Sequence, residues 1–173
     1  MAWLLLWLHL LALAAWLGET IFFSLVVAPA LFGTLPVEEA GRITALLFPG
    51  YYIVGYISGA LLVATGFALW RRSRPAGGLW LVSSLVALVS LVACLYAGLS
   101  VQPRAAALRP QLHDPAAPVE VRAEFDALHD RAVQLNAAVL IGTLAIAGLL
   151  AAQMSGGVRG ARRLSRYGSD PLL

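Results

Sequence analysis

Four apolar runs constrain this chain more than any other feature: roughly residues 3–28, 46–70, 78–99 and 132–154. A helix of about 20 mostly apolar residues is needed to cross a hydrocarbon core of ~30 Å, and each run meets that length. Inside lipid no water is available to bond exposed peptide groups, so each run must satisfy its own backbone and is predicted to be helical. None of the runs alternates with period two, which excludes the strands of a membrane barrel. The expected fold class is an all-α membrane protein, an antiparallel four-transmembrane-helix bundle with mostly short connections.

Composition agrees. Of 173 residues, 60% are apolar and 12% charged, against roughly 25% charged in a soluble domain. The mean hydropathy is +0.81. Lipid must therefore solvate much of the surface, and the bilayer is the first expected partner. The net charge of +3 sits in short loops, so it does not point to nucleic acid. All 12 basic residues are Arg. With the heavy Ala and Leu usage, this suggests a GC-rich bacterial gene and a place in the bacterial cytoplasmic (inner) membrane. No Arg precedes Arg42 and Glu19 interrupts the first run, so that run reads as a retained helix rather than a cleaved leader.

Arg placement sets the expected orientation. Residues 71–77 carry Arg71, Arg72 and Arg74 with no acid. The tail at 156–173 carries Arg159, Arg162, Arg163 and Arg166 against Asp170. Both should lie inside, which puts the N- and C-termini in the cytoplasm. Trp3, Trp70 and Trp80 then fall near the inner interface. On the outer side, 33–45 reads as a short helical turn, with Pro36 near its start and Glu38 and Glu39 in its first turn. Residues 100–117 hold Pro103, Pro110 and Pro115 and read as loop. From Pro118 a helix is predicted to run unbroken into the fourth span, its first turns projecting beyond the bilayer. Residues 1–155 form one expected domain, with 100–131 as outer loop and projecting helix and 156–173 as a basic tail.

Glu19 is the residue most in need of an account. A charge at a helix centre costs about 2.5–3.5 kcal/mol on insertion scales. Glu19 must therefore face the bundle and find a partner there, or be protonated. At 100° per residue, His9, Trp16, Glu19 and Phe23 share one stripe. On the fourth helix Asp126, His129, Val133 and Asn136 share another. Glu19, His129, Asn136 and Asp126 are thus the candidate polar cluster. The simpler alternative is that Glu19 fixes helix packing through a hydrogen bond, and that Asp126 and His129 only solvate a projecting helix. His9 and Trp16 are candidate ligand or packing residues. His9 and His129 differ in depth by roughly 20 Å at 1.5 Å per residue, so they cannot jointly hold one metal or haem. His113 and Asp114 read as solvated.

Gly55 and Gly59 form a small-xxx-small pair that lets helices approach closely, read as packing within the chain, with a dimer face as the alternative. Cys94 is the only cysteine, which excludes an intrachain disulfide and a cysteine-based metal site. No zinc motif, phosphate-cradling loop or nucleophile elbow is present. The sequence names no catalytic residue, no metal ligand set and no cofactor.

The stretch 16–52 resembles the opening of the transmembrane-protein-205-like family, whose domain has no assigned activity. The residues that carry the resemblance are Trp16-x-Gly18, Phe22-Phe23, Ala28-Pro29, Phe32, Leu35, Ala40-Gly41, Phe48-Pro49 and Tyr51. A second block follows in the expected order, with Pro103-Arg104, Phe125-x-x-Leu128-His129 and Leu135-Asn136. The resemblance implies four membrane helices and adds weight to Pro29, Pro49, His129 and Asn136. Glu19 departs from the pattern, where a neutral residue is expected. Three function classes remain: a non-enzymatic structural or interaction protein; a conduit or carrier for a small solute, proton or metal ion, which would need a homo-oligomer; and a redox protein holding haem or a quinone.

Overall fold

The computed structural model describes residues 2–73, 77–112 and 118–167, with side chains described to residue 155. Arg74, His113, Asp114 and Pro115 lie outside the described residues, as do the side chains of the basic tail. Among the described residues four long helices account for nearly all of the backbone: α1 (Ala2–Thr34), α2 (Val37–Arg72), α3 (Gly78–Leu112) and α4 (Val119–Tyr167). Each is long and apolar enough to cross a membrane. The protein is a multi-pass, all-α membrane protein.

The helices overrun the expected spans, and the reasons are local. Proline was expected to end the first helix near Pro29. Instead α1 passes through a π-helical segment, Phe23–Val27, and resumes as α-helix at Ala28–Thr34. The Ala28 N–H bonds the Phe23 carbonyl five residues back. Pro29 then stands in the first turn of the resumed helix, where a missing N–H is tolerated. The described part of the segment read as loop, residues 100–112, behaves the same way. A second π-helical segment, Ala97–Val101, precedes α-helix at Gln102–Leu112, and Pro103 again falls in the first turn. A π turn is uncommon and usually single, and it often marks a functional position.

The connection between α1 and α2 is only Leu35 and Pro36. The Leu35 N–H bonds the Leu31 carbonyl at 3.0 Å, and Pro36 caps α2 by accepting from the Ala40 N–H at 2.9 Å. So 33–45 is not a separate helical turn; most of it is the start of α2. Glu38 and Glu39 stand in the first turn and Arg71 and Arg72 in the last, which suits the helix dipole at both ends. α4 starts as the sequence indicates, with the Pro118 carbonyl accepting from Val121 at 3.1 Å. Its helical backbone continues past Gly156-Gly157 to Tyr167.

The helices close into a ring: α1 packs on α2, α2 on α3, α3 on α4, and α4 on α1. Small residues let them meet. Trp16, 1% exposed, lies in a seat made by Gly55 and Gly59. A Cβ at Gly59 would come within 2.9 Å of the Trp16 ring, and one at Gly55 within 3.2 Å of its Nε1. The Gly55–Gly59 pair therefore serves packing inside the chain. Gly98, in the second π segment, meets Tyr52, whose Cγ would lie 2.7 Å from an added Cβ. On α3 and α4, Gly142 receives the Ser90 side chain. Outside the ring, Leu25, Ile57, Val89 and Ile141 are exposed, as lipid-facing residues must be. Pro29 and Pro49 also lie on exposed faces, so they shape their helices rather than fill the core.

Candidate functional site

The polar side chains of the bundle form two layers. The first lies where α1, α2 and α4 meet, next to the π segment of α1. The Tyr51 hydroxyl donates to Asn136 Oδ1, and Asn136 Nδ2 donates to Ser24 Oγ at 2.8 Å. One amide thus ties three helices together. Ser24 is presented from the π segment itself. Phe23, Phe48, Tyr51, Tyr52 and Tyr56 pack beside it with neighbouring ring centroids 5.0–6.4 Å apart, within the range aromatic pairs favour. A cavity of about 10 Å³ opens here, lined by Tyr51, Tyr52, Cys94, Ala97, Ala132, Leu135, Asn136 and Val139. That is room for about one water.

Glu19 stands at the edge of this layer. It is half-buried, and its Oε2 is buried with no hydrogen-bond partner among the described residues. It lies within electrostatic reach of Tyr51 and Cys94. The bonds of Asn136 go to Tyr51 and Ser24 rather than to Glu19. His129 and Asp126 are exposed on α4. Of the four residues grouped from the sequence, the structure brings Glu19 and Asn136 to the same region and leaves the other two outside the ring.

Helix phase explains the difference. The buried face of α1 is made by His9, Ala12, Leu13, Trp16 and Thr20, so the predicted stripe was nearly right, with Glu19 on its flank. On α4 the buried residues are Val139, Gly142, Thr143, Ile146 and Leu150. At 100° per residue their centre is roughly 65° from Asn136 and more than 80° from His129. The sequence stripe was drawn through polar residues, and on this helix the packed face is apolar. Ser24 and Thr20 were missed, and Tyr51 was noted only through the family resemblance, because hydroxyl residues carry little weight in hydropathy. The available signal for Ser24 was Pro29, whose missing N–H had to be absorbed just upstream.

The second layer surrounds His9, 0% exposed. Its Nδ1 is 2.8 Å from Thr65 Oγ1, and Trp80 meets the ring edge-on with centroids 5.4 Å apart. Thr65 Oγ1 donates to the Leu61 carbonyl at 2.6 Å. Its single proton being used, it accepts from His9, which places the imidazole proton on Nδ1. Nε2 is then an acceptor, and it has no partner among the described residues; nor has the Ser83 hydroxyl. Ser84 donates to the Val63 carbonyl at 2.7 Å. No group of three or more His, Cys, Asp or Glu placed to hold a metal occurs among the described residues.

A ring of four long apolar helices, with side-chain hydrogen bonds holding its interior, defines a small polytopic membrane protein. Residues 11–114, more than half of the chain, match the model of the domain of unknown function DUF4149, and the chain belongs to that family. No curated protein and no solved structure matches it.

Proposed function

We propose that the protein acts in the membrane as a non-enzymatic structural or interaction component. The observation that carries this reading is the use made of its polar groups. Tyr51, Asn136 and Ser24 are spent on one another across three helices, and the cavity beside them has room for about one water. A bundle closed this way supports a scaffold better than a path through a single chain.

The narrower likeness to the transmembrane-protein-205-like family is supported by the same residues, since Trp16, Tyr51 and Asn136 all stand in the core layers. Contacts between α1 and α2 pair His9 with Thr65, Trp16 with Gly59 and Phe23 with Phe48. That reversed order supports the antiparallel arrangement. Cytoplasmic termini and a bacterial inner-membrane location rest on Arg placement and the Arg-only composition.

One observation favours the conduit reading, as a homo-oligomer: Glu19 Oε2 has no hydrogen-bond partner among the described residues. Reconstitution separates the two. The structural reading expects Tyr51→Phe to weaken the folded bundle by about 0.6–1.7 kcal/mol, the range of interhelical hydrogen bonds in membranes. It also expects proton and metal-ion flux into vesicles to be the same for wild type and Glu19→Gln. Flux that falls in Glu19→Gln at unchanged stability would replace it with the conduit. The haem or quinone reading is checked by a visible spectrum in mild detergent before and after reduction; a band that shifts and is lost in His9→Ala would put it first.

A further inference from the structure

At the end of the bundle where α3 and α4 leave the apolar span, a second cavity of about 100 Å³ lies between the two helices. Its lining is Tyr96, Ser100, Val101, Arg104, Leu128 and Arg131. Tyr96, Ser100 and Arg104 recur every four residues along one face of α3, and Leu128 and Arg131 are three apart on α4. Both hydroxyls and one guanidinium thus come from α3 and the second guanidinium from α4, with Val101 and Leu128 as the apolar wall of the cleft.

Tyr96, Arg104 and Arg131 are exposed at its rim, and three facts single this cleft out. First, its lining holds two cations and no acid. Second, neither Arg104 nor Arg131 has a carboxylate within 4.0 Å among the described residues. Third, the neighbouring Arg109 is already committed, donating to the Gly41 carbonyl at 2.8 Å, and it stays out of the cleft. Arg131 makes only a 3.4 Å contact with the Tyr96 hydroxyl, a weak bond for a group with five donors. Two like charges held in one cleft repel, and an anion between them reverses the sign of that interaction.

We propose that this cleft binds a phosphate group, with Arg104 and Arg131 as its charge partners and Tyr96 and Ser100 as hydroxyl donors. A tetrahedral anion with several acceptor oxygens can use all four groups at once, whereas a carboxylate is satisfied by one guanidinium. Depth fits a phosphate at the membrane surface. Arg131 lies five residues before Asn136, roughly 7 Å further out at 1.5 Å per residue, just beyond the apolar run of α4. The phosphate can come from a lipid headgroup or from solution.

The test uses the full chain in a non-ionic detergent, with wild type, Arg104→Gln/Arg131→Gln, Arg104→Lys/Arg131→Lys and an Arg72→Gln control. Retained phosphatidylglycerol and phosphatidylcholine are read by native mass spectrometry, and inorganic phosphate by calorimetry. The expected result is at least tenfold preference for phosphatidylglycerol in wild type and the control, lost in the Gln pair. The Lys pair keeps the charges but not the planar fork, so it retains part of the preference and also serves if the Gln pair does not fold. Phosphatidylglycerol preference without measurable phosphate binding assigns the site to headgroups. Phosphate binding that depends on the two arginines, without lipid preference, assigns it to a soluble anion. Lipid and phosphate binding that are unchanged in the folded Gln or Lys pair overturn the proposal.

Discussion

Trp16 organises the interior at the scale of single residues. It reaches the core only because α2 offers it two positions without a Cβ. Gly59→Ala should destabilise the protein by about 1–3 kcal/mol, as overpacking of a rigid ring does. Gly18→Ala is the matching control on α1, with nothing within 4 Å of the added carbon. It should be neutral or stabilise by up to about 1 kcal/mol, the helix preference of Ala over Gly. Thermal unfolding in detergent checks both, and equal effects would mean that the Trp16 seat is not tight. The importance of Trp16, His9 and the Gly55–Gly59 pair was legible in the sequence, because a large or polar side chain inside an apolar run needs somewhere to go. The Tyr51–Asn136–Ser24 set was not legible. Hydrogen-bond partners 85 and 112 residues apart follow from helix phase and register, and a single sequence specifies neither closely.

Individual helices show how far a bilayer-length rule can be taken. The four apolar runs located the helices, but their ends were set by chemistry that hydropathy does not see. At Pro29 in α1 and Pro103 in α3 a π segment shifted the bonding register and the helix continued, and α3 also runs through Pro110. The pairing of α3 with α4 relies on another small residue. A Cβ at Gly142 would collide with the Ser90 hydroxyl, the movable end of a short side chain. Gly142→Ala should therefore lower stability, and adding Ser90→Ala should restore most of the loss. A double variant no better than Gly142→Ala alone would place the conflict in the backbones instead.

As a whole molecule, the protein has one thiol, and it is 3% exposed between α1, α2 and α3. A membrane-impermeant maleimide should leave native Cys94 unmodified and label it once the bundle opens in denaturant. That makes the chain its own background for topology. With Cys94 silent, a cysteine introduced at Glu120 should be labelled from outside the cell, and one at Ser73 only after the membrane is broken. Labelling at Ser73 in intact cells would invert the orientation read from the arginines. Fold class and membrane residence were legible at this scale from the apolar runs alone, because solvent demands them. Function was not, because the residues that meet in the bundle come from three helices and none carries a motif.

The two π segments have a consequence that reaches beyond this chain. A π turn holds one residue more than the α turn it replaces, so each can be viewed as a single inserted residue that the helix absorbed without losing its ends. Relatives lacking that residue should show a one-position gap within 23–27 or within 97–101 when aligned with this chain. Where the gap falls, an uninterrupted α-helix should follow, with the equivalents of Ser24 or Gly98 turned away from the tyrosine layer. The presence or absence of that one residue would then sort the family into chains that can build the Tyr51–Asn136–Ser24 junction and chains that cannot.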